Sequence, residues 1–368
     1  MRDIPCPREC AGTPCPCECA GTPFPRGNAH FPNATELPMK RYDLHNHVIP
    51  QGVIDAVLAD PENFNTRIEG EGDNRRVVRK ENSFPLVPEY YDADAKVEAM
   101  ERKGIDISVI SAAPPTFYYW TKPEIGRRMA RLANDGIAAM VAKRPDRLRG
   151  MATLPMQDVE ASIEELERAV REHGFRAVEI QAAVNDRQIA DPYYRPLLRA
   201  AEKLGVFMFI HPNWWCTDMG LDKYYLINMI GNPLETTIFT ANMMFSGALD
   251  EVPKLRFLLA HGGGYVPYQI GRFRHGHAVR PEARMLSTTS PIDHFRRFYF
   301  DCLTHNPQST RHLIDSVGAD HCVLGTDSPF DMGDEAPVDN LDRVPRLTSG
   351  EREQICCGTA MTLLGEAR

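Results

Sequence analysis

From Arg41 onward, short runs rich in β-branched, aromatic and aliphatic residues alternate with longer segments of helical period, the βαβ signature of a parallel sheet. The runs are Tyr42–Val48, Ile107–Ala113, Leu148–Pro155, Ala177–Ala183, Val206–Pro212, Leu255–Gly262, Phe298–Thr304 and Cys322–Pro329, eight in all. In the segment Asp158–His173, Val159, Ile163, Leu166 and Val170 step by four, three and four, which puts one apolar stripe on the sheet side of a helix. Asp92–Lys103, Ile125–Lys143, Pro192–Leu204, Leu234–Leu249, Gln308–Val317 and Arg352–Leu364 read the same way, with Asp92 and Asp158 as helix caps. Eight strand–helix units within residues 39–368 predict a (β/α)8 barrel. A doubly wound open sheet would share the alternation, but no G-x-G-x-x-G turn follows the first strand, so a dinucleotide site has no support.

Composition narrows the partners. With 43% hydrophobic and 25% charged residues among 368, the chain is globular and can bury a full core. It has no apolar run of about 18 residues, so no transmembrane helix is expected. Its net charge of −8 is the wrong sign for a nucleic-acid or anionic-membrane binder, which leaves a small molecule as the expected partner. Five of the ten cysteines crowd into the imperfect repeat CPRECAGTP–CPCECAGTP, with no nearby histidine and no zinc-ribbon spacing. Residues 1–38 are therefore expected to be a Cys/Pro-rich segment without a core, or sequence read ahead of a start at Met39. The scattered remaining thiols fit a reducing cytoplasm.

One insertion stands out between the first strand and its helix. Residues 51–91 are long, polar and charged (RIEGEGDNRRVVRKEN), and on a barrel such a βα insertion hangs over the C-terminal face, as a lid or as a surface loop.

The first strand ends Asp43-Leu44-His45-Asn46-His47. Residues two apart on a strand project to one side, so His45 and His47 can aim two imidazoles at one point. An H-x-H pair alone is a weak signal. The letters HNH also match a nuclease motif, which the acidic balance opposes. Other runs also end in ligand-type residues: the fifth in FMFIHP with His211, the sixth in FLLAHGGG with His261 and the eighth in VLGTDSPF with Asp327. Four strands thus deliver three or four imidazoles and one carboxylate to the face where barrel enzymes work, which predicts a metal site. Nitrogen and oxygen donors with an open position point to Zn²⁺, with Mn²⁺, Fe²⁺ and Co²⁺ compatible with the same set.

The series D-x-H-x-H, H-P, HGGG…GR and GTDSPF, together with MERKGIDISVISAAPP, KRPDRLRGMATLPMQD, FSGALDEVPKLRFLLAHGGG and FDCLTHNP, resembles the amidohydrolase superfamily. The resemblance is closest to the α-amino-β-carboxymuconate-ε-semialdehyde decarboxylase family and covers nearly everything from Met39 to Glu366. It implies one divalent metal on His45, His47, His211 and Asp327, no organic cofactor, and His261 as the catalytic acid/base, with Asp327 sharing the proton transfer. The fourth run, AVEIQAAV, lacks the lysine that would bridge a second metal. The resemblance further implies a homodimer in which Arg272 reaches a substrate carboxylate in the neighbouring subunit.

The sequence departs from that family in the insertion. Where the decarboxylase carries a second carboxylate-binding arginine before a proline, this chain has Phe84-Pro85, which favours a ring-stacking or less acidic substrate. Trp214 and Trp215 could wall the pocket, and His305 could touch the substrate. The expected activity is metal-dependent, non-oxidative decarboxylation of an aromatic or unsaturated carboxylic acid bearing an adjacent hydroxyl, amino or carbonyl group. The alternative is metal-dependent hydrolysis of an amide, lactone or C–C bond with the same ligands.

Overall fold

The computed structural model describes residues 39–79, 83–213 and 220–367. Residues 1–38, with the cysteine repeat, and Trp214 and Trp215 lie outside them. Eight strands run β1 (Tyr42–Val48), β2 (Ile107–Ala112), β3 (Leu148–Ala152), β4 (Ala177–Gln181), β5 (Phe207–His211), β6 (Arg256–Leu259), β7 (Phe298–Asp301) and β8 (Cys322–Val323). They form one sheet in sequence order, and every neighbouring pair is parallel. Parallel bridges Asp43–Leu324 and Asn46–Ser328 join the segment after β8 to β1, so the sheet curls back on its own first strand. Tyr42, Leu44, Val109, Met151, Phe207, Phe209, Leu258 and Val323 fill the interior, and Leu363 and Leu364 at the C-terminal end of the chain pack beneath them.

Seven helices each follow their strand: α1 (Ala93–Arg102), α2 (Pro123–Lys143), α3 (Val159–His173), α4 (Arg195–Leu204), α5 (Asn232–Phe245), α6 (Val266–Val279) and α7 (Pro307–Val317). After β8 the chain ends in Ser349–Glu353, a π turn Gln354–Gly358 and Thr359–Leu364. The two expected caps form: the Asp92 carboxylate accepts from the backbone N–H of Asp94 and Ala95, and that of Asp158 from Ala161. None of the helices is long and apolar enough to cross a membrane. The run Leu234–Leu249 becomes helix from Asn232 to Phe245, entered through a π turn at Ile227–Gly231. Strand β8 stops at Val323, well short of Pro329, because the chain beyond it turns toward β1 and Asp327 takes up a φ of 55°.

The insertion is built rather than loop-like. It holds a helix at Gln51–Ala59, a short one at Pro61–Phe64 and an antiparallel sheet of Thr66–Glu69, Arg76–Arg79 and Ser83–Pro85. Val77 and Phe84, cross-strand partners, are buried while the residues flanking them, Arg76, Val78, Ser83 and Pro85, are not. So little apolar surface left the strands invisible in composition.

A β-bulge decides where β1 points its histidines. Pairing with β2 runs Tyr42–Ile107 and Asp43–Ser108, then resumes at Asn46–Ile110, so two residues of β1, Leu44 and His45, oppose one of β2, Val109. Tyr42 and Leu44 therefore face the barrel interior, and after the extra residue His45 and His47 share a face, with their rings edge-on at 5.0 Å. The fully buried Asp43 carboxylate closes the bulge by accepting from His45 N–H (3.1 Å), Asn46 Nδ2 (2.7 Å), Thr326 N–H (3.1 Å) and Thr326 Oγ1 (2.7 Å). From α1, the buried Lys96 Nζ donates to Asn46 Oδ1 (2.7 Å) and to the His47 carbonyl (2.9 Å), and burial lowers its ammonium to about 7.

Asp43→Ala would strand several buried donors across β1 and β8, each costing about 1–3 kcal/mol. We expect a loss of at least ~3 kcal/mol, seen by calorimetry as a midpoint several degrees lower; an unchanged midpoint would show that the bulge stands without its carboxylate.

Candidate metal centre

The mouth of the barrel gathers its polar residues from strand ends. His45 and His47 close β1, His211 is the last residue of β5, His261 follows β6, Asp301 ends β7 and Asp327 follows β8. One ligand atom from each of His45, His47, His211 and Asp327 lies within 4.8 Å of the others, and all four residues are buried. Asp327 Oδ1 stands 3.0 Å from His47 Nε2 and 3.3 Å from His45 Nε2. The Nε2 atoms of His45, His47 and His211 and Oδ1 of Asp327 have no hydrogen-bond partner, although buried polar atoms in folded proteins almost always do. A divalent cation satisfies all four at once, so these residues fit the metal expected from sequence.

The other ring nitrogens are already committed. Nδ1 of His45 donates to Asp301 Oδ2 at 2.6 Å, and Nδ1 of His211 to the Pro212 carbonyl at 2.6 Å. Nδ1 of His47 stands 3.5 Å from Ser111 Oγ and 3.8 Å from Glu179 Oε1. Each ring therefore turns Nε2 inward, the orientation that outer carboxylates and carbonyls impose on metal-binding imidazoles.

The field at the centre calls for positive charge. Burial alone would lower the His45 imidazole, but attraction to the nearby Asp327 carboxylate and its hydrogen bond to Asp301 raise it to about 10. Burial pushes His47 down to about 4. Burial also opposes ionisation of Asp327 and Asp301, yet the surrounding histidines hold Asp327 well below the usual carboxylate range, and His45 holds Asp301 below it. Glu179, buried with little compensation, rises to about 8.

His261 sits beside this group rather than inside it. Its Nε2 lies 3.4 Å from Asp327 Oδ2, and its side chain keeps 18% of its exposure against 0% for His45 and His47. Its backbone has a φ of 54°, held by Asp301, which accepts from the N–H groups of His261 (3.0 Å) and Gly262 (2.8 Å). The glycines after it are forced. Gly262, Gly263 and Gly264 all have positive φ, and a Cβ on Gly264 would stand 2.2 Å from the Pro233 carbonyl oxygen.

Two cavities open on the cluster. A small one of about 120 Å³ is lined by Phe84, Pro114, Pro115, His211, Asn232, Asp327 and Phe330 among others, and a larger one of about 680 Å³ by His261, Tyr265, Tyr268, His305 and His312. Phe84 is buried, with its ring 5.4 Å from that of Phe330, and with Ser83 it brings the insertion to the small cavity. His305 lines the larger cavity. Arg272 is exposed on α6 and lines neither. Trp214 lies outside the described residues.

Sequence reasoning missed Asp43, Lys96, Glu179, Asn232 and Asp301. For Asp301 a signal existed, an acid at the end of an otherwise apolar strand, FYFD, the same pattern that drew notice to Asp327.

Comparison with known proteins agrees with this geometry. The amidohydrolase family model matches residues 42–365. A 2-amino-3-carboxymuconate-6-semialdehyde decarboxylase of Dictyostelium discoideum is 33% identical over 276 residues, 75% of this chain and 77% of that one. A gamma-resorcylate decarboxylase of a Rhizobium species is 33% identical over 261 residues, 66% of this chain and 78% of that one. Among solved structures, a dihydroxybenzoic acid decarboxylase of Polaromonas with bound manganese and the inhibitor 2-nitroresorcinol superposes with a TM-score of 0.75 at 24% identity, covering 89% of this chain and 97% of that one. The chain belongs to the amidohydrolase family.

Proposed function

We propose that this protein is a metal-dependent, non-oxidative decarboxylase of an aromatic carboxylic acid bearing an adjacent hydroxyl or amino group. The observation that carries the reading is the buried group of four uncommitted donors with His261 at its edge, in a chain whose relatives are decarboxylases. His45, His47, His211 and Asp327 would hold one divalent ion. Zn²⁺ is our assignment from the donor set, and Mn²⁺, present in the Polaromonas relative, is the rival. When bound, the ion supplies a Lewis acid that orients the acid and disperses developing negative charge.

The chain's own residues manage the proton. In the overall step the ring carbon gains a proton, the bond to the carboxylate breaks, and CO2 leaves. His261 and Asp327, 3.4 Å apart, would pass that proton to the carbon. No organic cofactor enters.

The walls support an aromatic substrate. The small cavity is faced by Phe84, Phe330, Pro114 and Pro115, and the described residues that line it include no lysine or arginine. This suits a flat monocarboxylate better than a dicarboxylate. Arg272 would serve the neighbouring subunit of a homodimer. In support, Tyr268, one turn before it on α6, lines the larger cavity and is 81% exposed, and Tyr224 is 82% exposed. We place the enzyme in the cytoplasm, with Cys302, Cys322 and Cys356 as free thiols, residues 39–368 as the working unit and the insertion as its cap.

Three measurements test this. Metal analysis should find about one divalent ion per chain, with near-complete loss in His47→Ala and Asp327→Ala; full occupancy in both would sink the ligand set. His261→Ala should keep the ion yet release CO2 from 2,6-dihydroxybenzoate or a related hydroxybenzoate some 10²–10⁴-fold more slowly, whereas loss of the ion would make His261 a ligand. Mixing Arg272→Ala with His47→Ala chains should restore part of the activity, since one hybrid site then has an intact centre and an intact arginine; hybrids without recovery would end the shared-site idea.

A further inference from the structure

The two cavities share three lining residues, Asn228, Asn232 and Met332. Asn232 is 6% exposed, and its Oδ1 is buried with no hydrogen-bond partner. Two other amide oxygens among the described residues, Gln157 Oε1 and Gln188 Oε1, also lack a partner, but neither residue borders these cavities, and the other buried amides are satisfied. Asn134 donates to the Thr153 carbonyl and Glu165 and accepts from the Thr153 N–H, and Asn46 donates to Asp43 and accepts from Lys96. A lone unmatched amide at the meeting point of two cavities is therefore a feature to explain by what binds there.

The backbone places it deliberately. The π turn Ile227–Gly231 widens the chain just before Asn232, the first residue of α5, so that Asn228 and Asn232 both border both cavities. His211 and Asp327 also line the small cavity, with Phe84 and Phe330 as apolar walls.

We infer that Asn232 is a specificity-determining residue that accepts a hydrogen bond from a second polar substituent, a hydroxyl or amino group, on the acid held at the metal centre. The inference rests on the decarboxylase reading above and adds the substituent. The described lining of the small cavity carries the acids Asp327 and Asp331 and no cationic residue, so a neutral donor suits this position and a second carboxylate does not. An aromatic acid with one hydroxyl toward the metal and another toward Asn232 satisfies both ends of the pocket. Leaving off the second hydroxyl strands the buried Oδ1, the kind of mismatch by which polar pockets discriminate.

Binding tests this without turnover. The metal-loaded protein is titrated with 2-nitroresorcinol and with 2-nitrophenol, which differ by one hydroxyl, and the two Kd values are compared by calorimetry. Wild type should hold the diol about tenfold more tightly. Asn232→Ala should bring the ratio to about one while leaving 2-nitrophenol affinity and metal content unchanged, and Asn232→Asp, which keeps an acceptor, should retain the preference. A ratio that survives Asn232→Ala, equal loss of both probes, or failure of either probe to bind wild type would overturn the inference. If Asn232→Ala does not fold, Asn232→Leu, close to Asn in size and without an acceptor, gives the same comparison. A collapsed ratio in a protein that releases no CO2 from hydroxybenzoates would sink the decarboxylase reading and keep the Asn232 contact, so the two failures are distinguishable.

Discussion

The mouth of this barrel is organised around one unresolved electrostatic demand: three imidazole nitrogens and a carboxylate oxygen, all buried, face each other without hydrogen-bond partners. Each such atom left unmatched costs about 1–3 kcal/mol, and the fold accepts the cost where a cation can discharge it. The surroundings keep the donors from relaxing into one another. Asp301 fixes the far side of the His45 ring, and the Pro212 carbonyl fixes that of His211. Because Asp301 also accepts from the backbone of His261 and Gly262, one buried carboxylate ties a ligand ring to the residue beside the cluster, and neither can shift alone. Positive φ at both His261 and Asp327 is the strain that this arrangement holds in place.

The eight strands and the helices between them were legible because burial on both faces writes continuous apolar runs, and because helices against a sheet keep one stripe. The ends of those elements were not. Strand β8 shrinks to Cys322–Val323 because its last residues bend toward β1 to present Asp327, a tertiary demand that leaves no mark in composition. The insertion hid its sheet because Val77 and Phe84 alone bury apolar bulk there. His45, His47, His211 and Asp327 could be named from sequence, since ligand-type residues at strand ends all meet at one rim. The reasoning that two strand residues two apart share a face was incomplete, because β1 reaches that geometry through a bulge that Asp43 closes. Asp301 carried the same strand-end signal as Asp327 in FYFD, but its partners come from other strands, and the missing partner of Asn232 cannot be read along one chain segment.

The same rim explains how one fold accommodates different acids. The cluster sits at the floor and says little about the substrate, while the walls come from loops of separate origin: Phe84 from the insertion, Pro114 and Pro115 after β2, Asn228 and Asn232 from the π turn before α5, and Phe330 after Asp327. Changing one wall residue alters what the pocket admits without touching a ligand. Phe84 gives the wall an aromatic face, and the unmatched amide of Asn232 supplies the polar contact that the apolar walls do not.

Decarboxylation and hydrolysis would use the same ligands, so the position of His261 bears on which chemistry the site favours. A decarboxylase has to deliver a proton to carbon and then replace it. Within the cluster, His45 and His47 have no exposed side-chain surface and Asp327 has 7%, whereas His261 has 18% and also borders the larger cavity. Asp327 is surrounded by imidazoles at 3.0 to 3.4 Å that favour its ionised form, which makes it a poor lone source of protons. On the proposed reading His261, with its Nε2 3.4 Å from Asp327 Oδ2, would carry the proton bound for the substrate carbon, while its backbone stays anchored to Asp301. An imidazole that borders the larger cavity and reaches the buried carboxylate is the arrangement that protonation at carbon would use.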